Sequence, residues 1–431
     1  MTDVLFLIEY RAREFDAAAA IKRHLKTYHG LEMGILSVGQ LGEAIASNID
    51  PTVVVLPWAK SAETWDLLRS IVNSFPQAIF FDMAWDQLLP PHFADMRVPN
   101  GRFQMEKVLH HAWSPTRTEY LTKHGIAKER IFENGNPIYT LYDQRYRGLY
   151  PSREEIAVRH GLDSDKPWVL FPENYGWAFL NETQVRRRFV RGRLSAERAL
   201  RIHRFHVESL SAALNWFSRI DAPIEFILRP RPVVAASTYL AAFEREGLKP
   251  GASVRIIKDG SAREWILASD MVMSSFSTTL LEAAAAGKPA FAIEPVPFVP
   301  DVAEADWIAR IDRVSSFDAF DALIQNPHEA PPADDLAEFV RQVAHPCNDA
   351  LVGAADIIRK IIDMRATPDE PYHISQPLLP ASVRRLRRGL RAFLGFPGRQ
   401  KPFEKAATEY VTEADAAARA AQVDALFSRA A

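Results

Sequence analysis

A chain of 431 residues is too long for one ordinary core and suits two domains plus additions. With 48% apolar and 25% charged residues it reads as a soluble globular protein, and a formal net charge of -2 argues against a dedicated nucleic-acid binder. The single cysteine, Cys347, excludes an intramolecular disulfide, and no apolar run nears the ~18 residues that span a bilayer. The opening MTDVLFLIEYRARE lacks the basic start of a signal peptide, so a cytoplasmic protein is expected. No CxxC or HExxH spacing occurs, and no metal site is expected.

Residues 4–8 form a continuous apolar run, which predicts a buried parallel strand. Glu9, Arg11, Arg13, Glu14 and Asp16 follow, and a helix is expected over about 16–28. Charges just past a first parallel strand lie where open α/β sheets bind ligands, although a solvated loop would also look like this. Further strands are expected at 33–38, 52–56, 78–81, 107–113 and 130–133, with helices between them. Asp82, Trp85 and Asp86 follow the fourth strand, and His110 and His111 lie inside the fifth. Asn134-Gly135-Asn136-Pro137 is a turn signal. This alternation predicts a doubly wound α/β sheet.

The polar stretch 139–166 predicts a domain boundary, giving domains at 1–145 and 146–365 and a tail at 366–431. Ser152 with Glu155 three residues on predicts a capped helix. A second alternation starts at 168–171, with Glu173 and Asn174 just beyond. Arg186, Arg187, Arg188, Arg191 and Arg193 form either an exposed basic face or a contact for an acidic acceptor or lipid phosphate. The strand at 224–228 ends in Arg229-Pro230-Arg231-Pro232, two guanidiniums between prolines that suit an anion.

The stretch 269–291 reads strand, hydroxyl-rich turn, helix, glycine stop, strand. Five hydroxyls fall in six positions: Ser274, Ser275, Ser277, Thr278 and Thr279. One hydroxyl capping the following helix accounts for one of them. The rest, at a helix N-terminus with free N–H groups, suit a phosphate. In the tail, 382–396 carries Arg384, Arg385, Arg387, Arg388 and Arg391 against an apolar face. Such a helix suits a membrane surface, or the main body of the protein. The acidic, Ala-rich helix expected over about 404–427 is a candidate to pair with it.

Five segments together carry a resemblance. VLFLIEYRAREFDAAAAIKRHL, ENGNPIYTLYD, PWVLFPENYGW, FILRPRP and SDMVMSSFSTTLLEAAAAGKP resemble, in this order, segments of bacterial surface-carbohydrate biosynthesis proteins of the GT-B glycosyltransferase fold. The likeness runs over roughly 3–310, and the serine-rich loop is its most specific part. It implies two Rossmann-like domains facing across a cleft, plus the C-terminal helical tail. It also implies transfer of a sugar from a nucleotide-sugar donor to a surface-polysaccharide (capsule or O-antigen) or lipid-linked glycan acceptor, with no metal and no cofactor. Outside that likeness, the basic amphipathic pattern of 382–396 is the candidate for peripheral membrane contact, and the net charge leaves no nucleic-acid partner expected.

FILRPRP departs from the family, which carries histidine where this chain has Arg231. Arginine keeps phosphate binding but cannot serve as a general acid near neutral pH. The resemblance makes Arg229, Arg231, Ser274, Ser275, Ser277 and Thr278 the phosphate-binding candidates. It makes Glu14, Asp82, Glu9 and Glu173, in falling order, the candidates for an acceptor base. Glu282 is either a ribose or sugar ligand or a helix-surface carboxylate. Three alternatives stay open: a CDP-polyol phosphotransferase of the teichoic-acid polymerase type, a nucleotide-sugar epimerase, and a non-catalytic assembly protein.

Overall fold

The computed structural model describes residues 2–41, 49–59, 66–88, 98–189, 194–231, 234–345, 348–364 and 410–429. The chain divides into two compact units, one formed by Met1–Trp85, Val98–Ile138 and Cys347–Ala431, the other by Asp86–Arg97 and Tyr139–Pro346.

The first unit is built on six parallel strands, β1 (Val4–Ile8), β2 (Met33–Ser37), β3 (Val53–Leu56), β4 (Ile79–Asp82), β5 (Val108–Ala112) and β6 (Ile131–Glu133), in the order β2-β1-β3-β4-β5-β6. Interior strands of such a sheet are covered on both faces, which is why β1 and β3 are apolar at every position and wholly buried. The helix Arg11–His29 follows β1 after two residues. It starts five residues before the expected position, because its start has an unorthodox cap. Tyr10 is an extended N-cap without a side-chain bond, and the Glu14 carboxylate reaches back to accept the Glu9 N–H at 2.7 Å. Four alanines, Ala17–Ala20, are buried on this helix and let two further helices lie close against it.

Those two helices come from the far end of the chain. Ala350–Asp363, expected to close the second domain, packs on Arg11–His29. Its Gly353 faces Asn134, whose Nδ2 donates to the Ala350 carbonyl at 2.9 Å; a side chain at 353 would collide with that amide. Glu413–Arg429, the last helix, also packs on Arg11–His29. Arg419 pairs with Asp16 at 2.8 Å and Arg23 with Asp424 at 2.8 Å, while Gln40 exchanges hydrogen bonds with both backbone groups of Val411. So the acidic helix has the first helix as its partner. The basic segment 382–396 lies outside the described residues.

The second unit carries β7 (Trp168–Pro172), β8 (Glu225–Arg229), β9 (Val254–Ile256), β10 (Met271–Ser274), β11 (Ala290–Ile293) and β12 (Arg313–Val314) in the order β12-β11-β10-β7-β8-β9, all parallel. Counted from β7, this is the 3-2-1-4-5-6 order of dinucleotide-binding sheets. Its core is aromatic: Phe171, Phe217, Phe226 and Phe320 lie together, with Phe226 and Phe217 centroids 5.0 Å apart. The expected capping box at Ser152 and Glu155 is present, and Arg153 of the same helix donates to the Asp270 carboxylate at 2.9 Å, holding the start of β10.

Candidate functional site

Ligands of parallel sheets sit beyond the carboxyl ends of the strands, where the strand order reverses. In the second unit that point lies between β7 and β10. Glu173 and Asn174 follow β7, Ser275 and Phe276 follow β10, and Arg229 ends β8 beside them. Hydrogen bonds lace these ends together. The Glu173 N–H donates to the Arg229 carbonyl at 2.9 Å, and the Arg231 N–H donates to Glu173 Oε2 at 3.1 Å. Asn174 Nδ2 donates to the Phe276 carbonyl at 3.4 Å, and Ser274 Oγ to the Pro172 carbonyl at 2.5 Å.

The two arginines have different surroundings. Arg229 is buried and donates to the Gly260 carbonyl; burial pulls its pKa down to about 10, against the charges of Glu264 and Asp259. It anchors the turn. Arg231 is exposed, and its guanidinium lies along Gly176, where an added Cβ would meet Nη1 at 3.3 Å. Among the described residues no carboxylate forms an ion pair with it. Pro232 lies outside those residues.

Behind Arg231 sits His206, which sequence reasoning did not single out. Its ring stacks on Trp177 at 5.7 Å and meets Phe276 edge-on at 5.1 Å. Burial first, then the Arg231 charge, push its pKa down to about 3, so it stays neutral. Tyr175 and Tyr239 were missed as well. These residues come from distant segments with no fixed spacing to the serine loop, so no sequence signal marks them.

The serine-rich loop splits its hydroxyls. Ser274 staples β10 to β7, and Ser275 is buried and turned inward. Ser277 Oγ accepts the Thr279 N–H at 3.3 Å and bonds Thr279 Oγ1 at 2.7 Å. Thr278 is the N-cap of the helix Thr279–Ala285 without a side-chain cap bond, and it is exposed. The rim therefore offers Ser277 and Thr278, with Arg231 close to the same strand ends. Gly287 ends the turn as expected, at φ 70, with the Lys288 N–H on the Ala283 carbonyl at 2.9 Å. Glu282 accepts the Tyr142 hydroxyl at 2.5 Å, and burial followed by that charge raises the Tyr142 pKa well above its ordinary value.

The first unit has its own reversal point, between β1 and β3. Glu9 follows the end of β1 and Trp58 follows β3, and Trp58 Nε1 donates to Glu9 Oε2 at 2.7 Å. Glu14 is at 0% exposure with both oxygens engaged: Oε2 by the Glu9 N–H, Oε1 by Arg13 Nε at 3.0 Å and Nη2 at 2.6 Å. Burial raises its pKa to about 7, against Arg13. Of the two carboxylates here Glu14 is enclosed and Glu9 is half-buried. Asp82, at the end of β4, is buried; Oδ1 accepts the Ala84 N–H at 2.9 Å, and Oδ2 lies 3.6 Å from His110 Nδ1. Ala84 is held at φ 45, a left-handed conformation that alanine adopts only under constraint. Glu173, the fourth base candidate, belongs to the second unit and faces inward there.

Arg186 and Arg187 stand exposed on the helix Glu182–Phe189, whose Val185 is buried; Arg191 and Arg193 lie outside the described residues, as does the side chain of Arg188. No helix among the described residues is long and apolar enough to cross a membrane.

No protein-family model matches the sequence, and no curated protein matches it. Solved structures do. A variant of the wall teichoic acid polymerase TagF with CDPG soaked in matches with TM-score 0.54 and 11% identity, over 85% of this chain and 90% of that chain. A second TagF variant matches with TM-score 0.54 and 13% identity, over 84% and 90%. The S. aureus MnaA-UDP co-structure matches with TM-score 0.53 and 11% identity, over 86% of this chain and 100% of that chain. Similarity at this level of identity is similarity of fold: the chain has the GT-B fold of these proteins, two units each built on a parallel sheet.

Proposed function

We propose that the protein is a glycosyltransferase, with the second unit holding a nucleotide-sugar donor and the first holding a glycan or lipid-linked glycan acceptor. One observation carries this reading: Arg231 is an exposed guanidinium without an ion pair among the described residues, laid along Gly176 past the end of β8, at the same edge of the sheet from which the Ser277 and Thr278 loop follows β10. Cleaving a nucleotide-sugar leaves negative charge on the diphosphate. A permanent, pre-positioned cation stabilises that charge without itself exchanging a proton. Arg231 would do this where a histidine would depend on pH, so the reading is of a metal-independent donor site. Its neutral neighbour His206 adds no competing charge.

The acceptor hydroxyl needs a base. Glu9 fits that role better than Glu14, being accessible and oriented by Trp58. Asp82 and its His110 neighbour are the next candidates. A second donor class is favoured by one comparison, since TagF was solved with CDPG. A polyol-phosphate transferase would use the same anion rim. The surface-glycan acceptor rests on the resemblance of sequence segments, and membrane contact on the basic amphipathic pattern of 382–396.

The test is a thermal-shift panel of CMP, CDP, UDP, GDP, TDP and CDPG. A ligand that binds only the native state raises its stability by RT ln(1 + [L]/Kd). One nucleotide is expected to shift the wild type. Arg231→Ala should weaken that nucleotide roughly 10- to 100-fold, the range for losing a hydrogen bond to a charged group. No shift from any of the six would remove the donor-site reading and favour a non-catalytic assembly protein.

A further inference from the structure

The helix Pro115–Lys123 follows β5 at the carboxyl edge of the first sheet, the edge where Glu9 stands. Its first turn carries a cation. Arg117 is half-buried, its Nε is enclosed without a hydrogen-bond partner, and among the described residues no carboxylate forms an ion pair with it. The Tyr120 ring, 4.8 Å from the guanidinium, holds its direction. Asp82, at the end of the neighbouring β4, is the carboxylate whose charge reaches Arg117, and it is engaged elsewhere. Its Oδ1 accepts the Ala84 N–H at 2.9 Å, and its Oδ2 lies 3.6 Å from His110 Nδ1.

Three effects act against a cation in this place. Burial withholds water from the guanidinium and pulls the Arg117 pKa down, against Tyr120 and Asp82. The start of a helix bears partial positive charge, so its first turn favours Asp or Glu, and this one has neither. No ion pair offsets the two. A second polar group belongs to the same turn. Thr118 is 7% exposed, and its Oγ1 has no hydrogen-bond partner among the described residues. Helical side chains lean toward the helix N-terminus, so this hydroxyl leans toward the turn that carries Arg117. Ser114, the buried N-cap, makes no side-chain cap bond.

We propose that Arg117, with Thr118 and the start of this helix, binds an oxyanion, a phosphate or a carboxylate, carried by the molecule that the first unit takes. Such a group would pair with the guanidinium, lie at the positive end of the helix and accept from the hydroxyl, so it answers all three effects at once. Asp82 is the charge that opposes it, and its bond to Ala84 and approach to His110 draw that charge away from Arg117. The acceptor class is then one bearing an acidic group. That assignment rests on the first unit taking the acceptor, while the anion site stands on Arg117 alone.

Methyl phosphate and glucuronate are the probes, one for each source of the oxyanion. They are titrated by NMR into the full-length Arg231→Ala protein, where the cation of the second unit no longer contributes. At least one probe should bind. Adding Arg117→Ala should weaken it about tenfold or more, the size of a hydrogen bond to a charged group, and Arg117→Lys should keep part of the affinity. Arg117→Met alone should hold or raise the melting temperature, because it removes a half-buried charge that no partner offsets. The proposal is overturned if neither probe binds, or if binding ignores Arg117→Ala as an adventitious ion only would. It is overturned as well if Arg117→Met lowers the melting temperature by several degrees, as replacing an arginine that serves the fold would. The nucleotide panel separates the two readings. A wild type that binds no nucleotide, but binds a probe through Arg117, loses the donor reading and keeps this site. A wild type that binds a nucleotide, with probe binding indifferent to Arg117, loses this site and keeps the donor reading.

Discussion

Glu9 and Arg231 occupy comparable places in the two units: each stands past the end of a strand, at or next to the point where the order of its sheet reverses. The chemistry placed there is opposite. The first unit presents a carboxylate, steadied by Trp58, and encloses a second one, Glu14, against Arg13. The second presents a cation and hydroxyls, and turns its own carboxylate, Glu173, inward to hold that cation's backbone. Topology chooses where a ligand sits; the residues just past each strand choose the sign of the charge that meets it. The proposed donor and acceptor roles of the two units rest on this difference.

The buried titrating groups oppose each other as well. Glu14 is raised from an ordinary 4.5 to about 7, so between those values the folded state binds the proton that the unfolded state has released. Its contribution to stability is present below about 4.5 and lost as pH rises through about 7. His206 is lowered from 6.5 to about 3, so it is the unfolded state that takes up a proton in that interval, and stability is lost as pH falls from about 6.5 toward 3.

The contrast between the units breaks most sharply in the core of the second. Phe226 is fully buried, with Phe217 and Phe320 against it, and Phe226→Ala should cost about 3–5 kcal/mol. Hydrogen exchange should then show β7, β8 and β10 losing protection while β1 and β3 keep theirs. Equal loss in both sheets would mean that the units unfold as one. Next comes Glu14→Gln, which should remove a pH dependence of stability on the order of a few kcal/mol. Denaturant midpoints of wild type and variant, compared from pH 4.5 to about 8, should show a flatter profile for the variant. An unchanged slope would mean that Glu14 ionises normally. The smallest effect is expected at Ala84, where Ala84→Gly should gain about 1 kcal/mol by relieving the φ 45 conformation. If that gain comes with a loss of the proposed transfer activity, the strained turn after Asp82 belongs to the proposed acceptor site.

Much of the fold was legible from local pattern. The apolar runs of β1 and β7, the Ser152 capping box and the Gly287 stop each depend on residues within a few positions of one another. The strand-helix alternation determined two doubly wound sheets, because a parallel strand needs a crossover before the next one. The start of Arg11–His29 was not legible, since its N-cap is Tyr10, with no serine, threonine or aspartate to mark it, and the Glu14 carboxylate reaches back to the Glu9 N–H instead. In the candidate site, sequence marked the right loops and strand ends but not the direction of each side chain. That Arg229 anchors while Arg231 stands exposed, and that Ser275 turns inward toward Tyr175, was decided by packing with residues dozens of positions away. The last helix is the extreme case, tied by Arg419 to Asp16 across 403 positions. Backbone hydrogen bonding and side-chain alternation are short-range and leave a periodic trace in sequence. Which buried polar group meets which partner is a long-range choice with no period, and only the folded chain makes it.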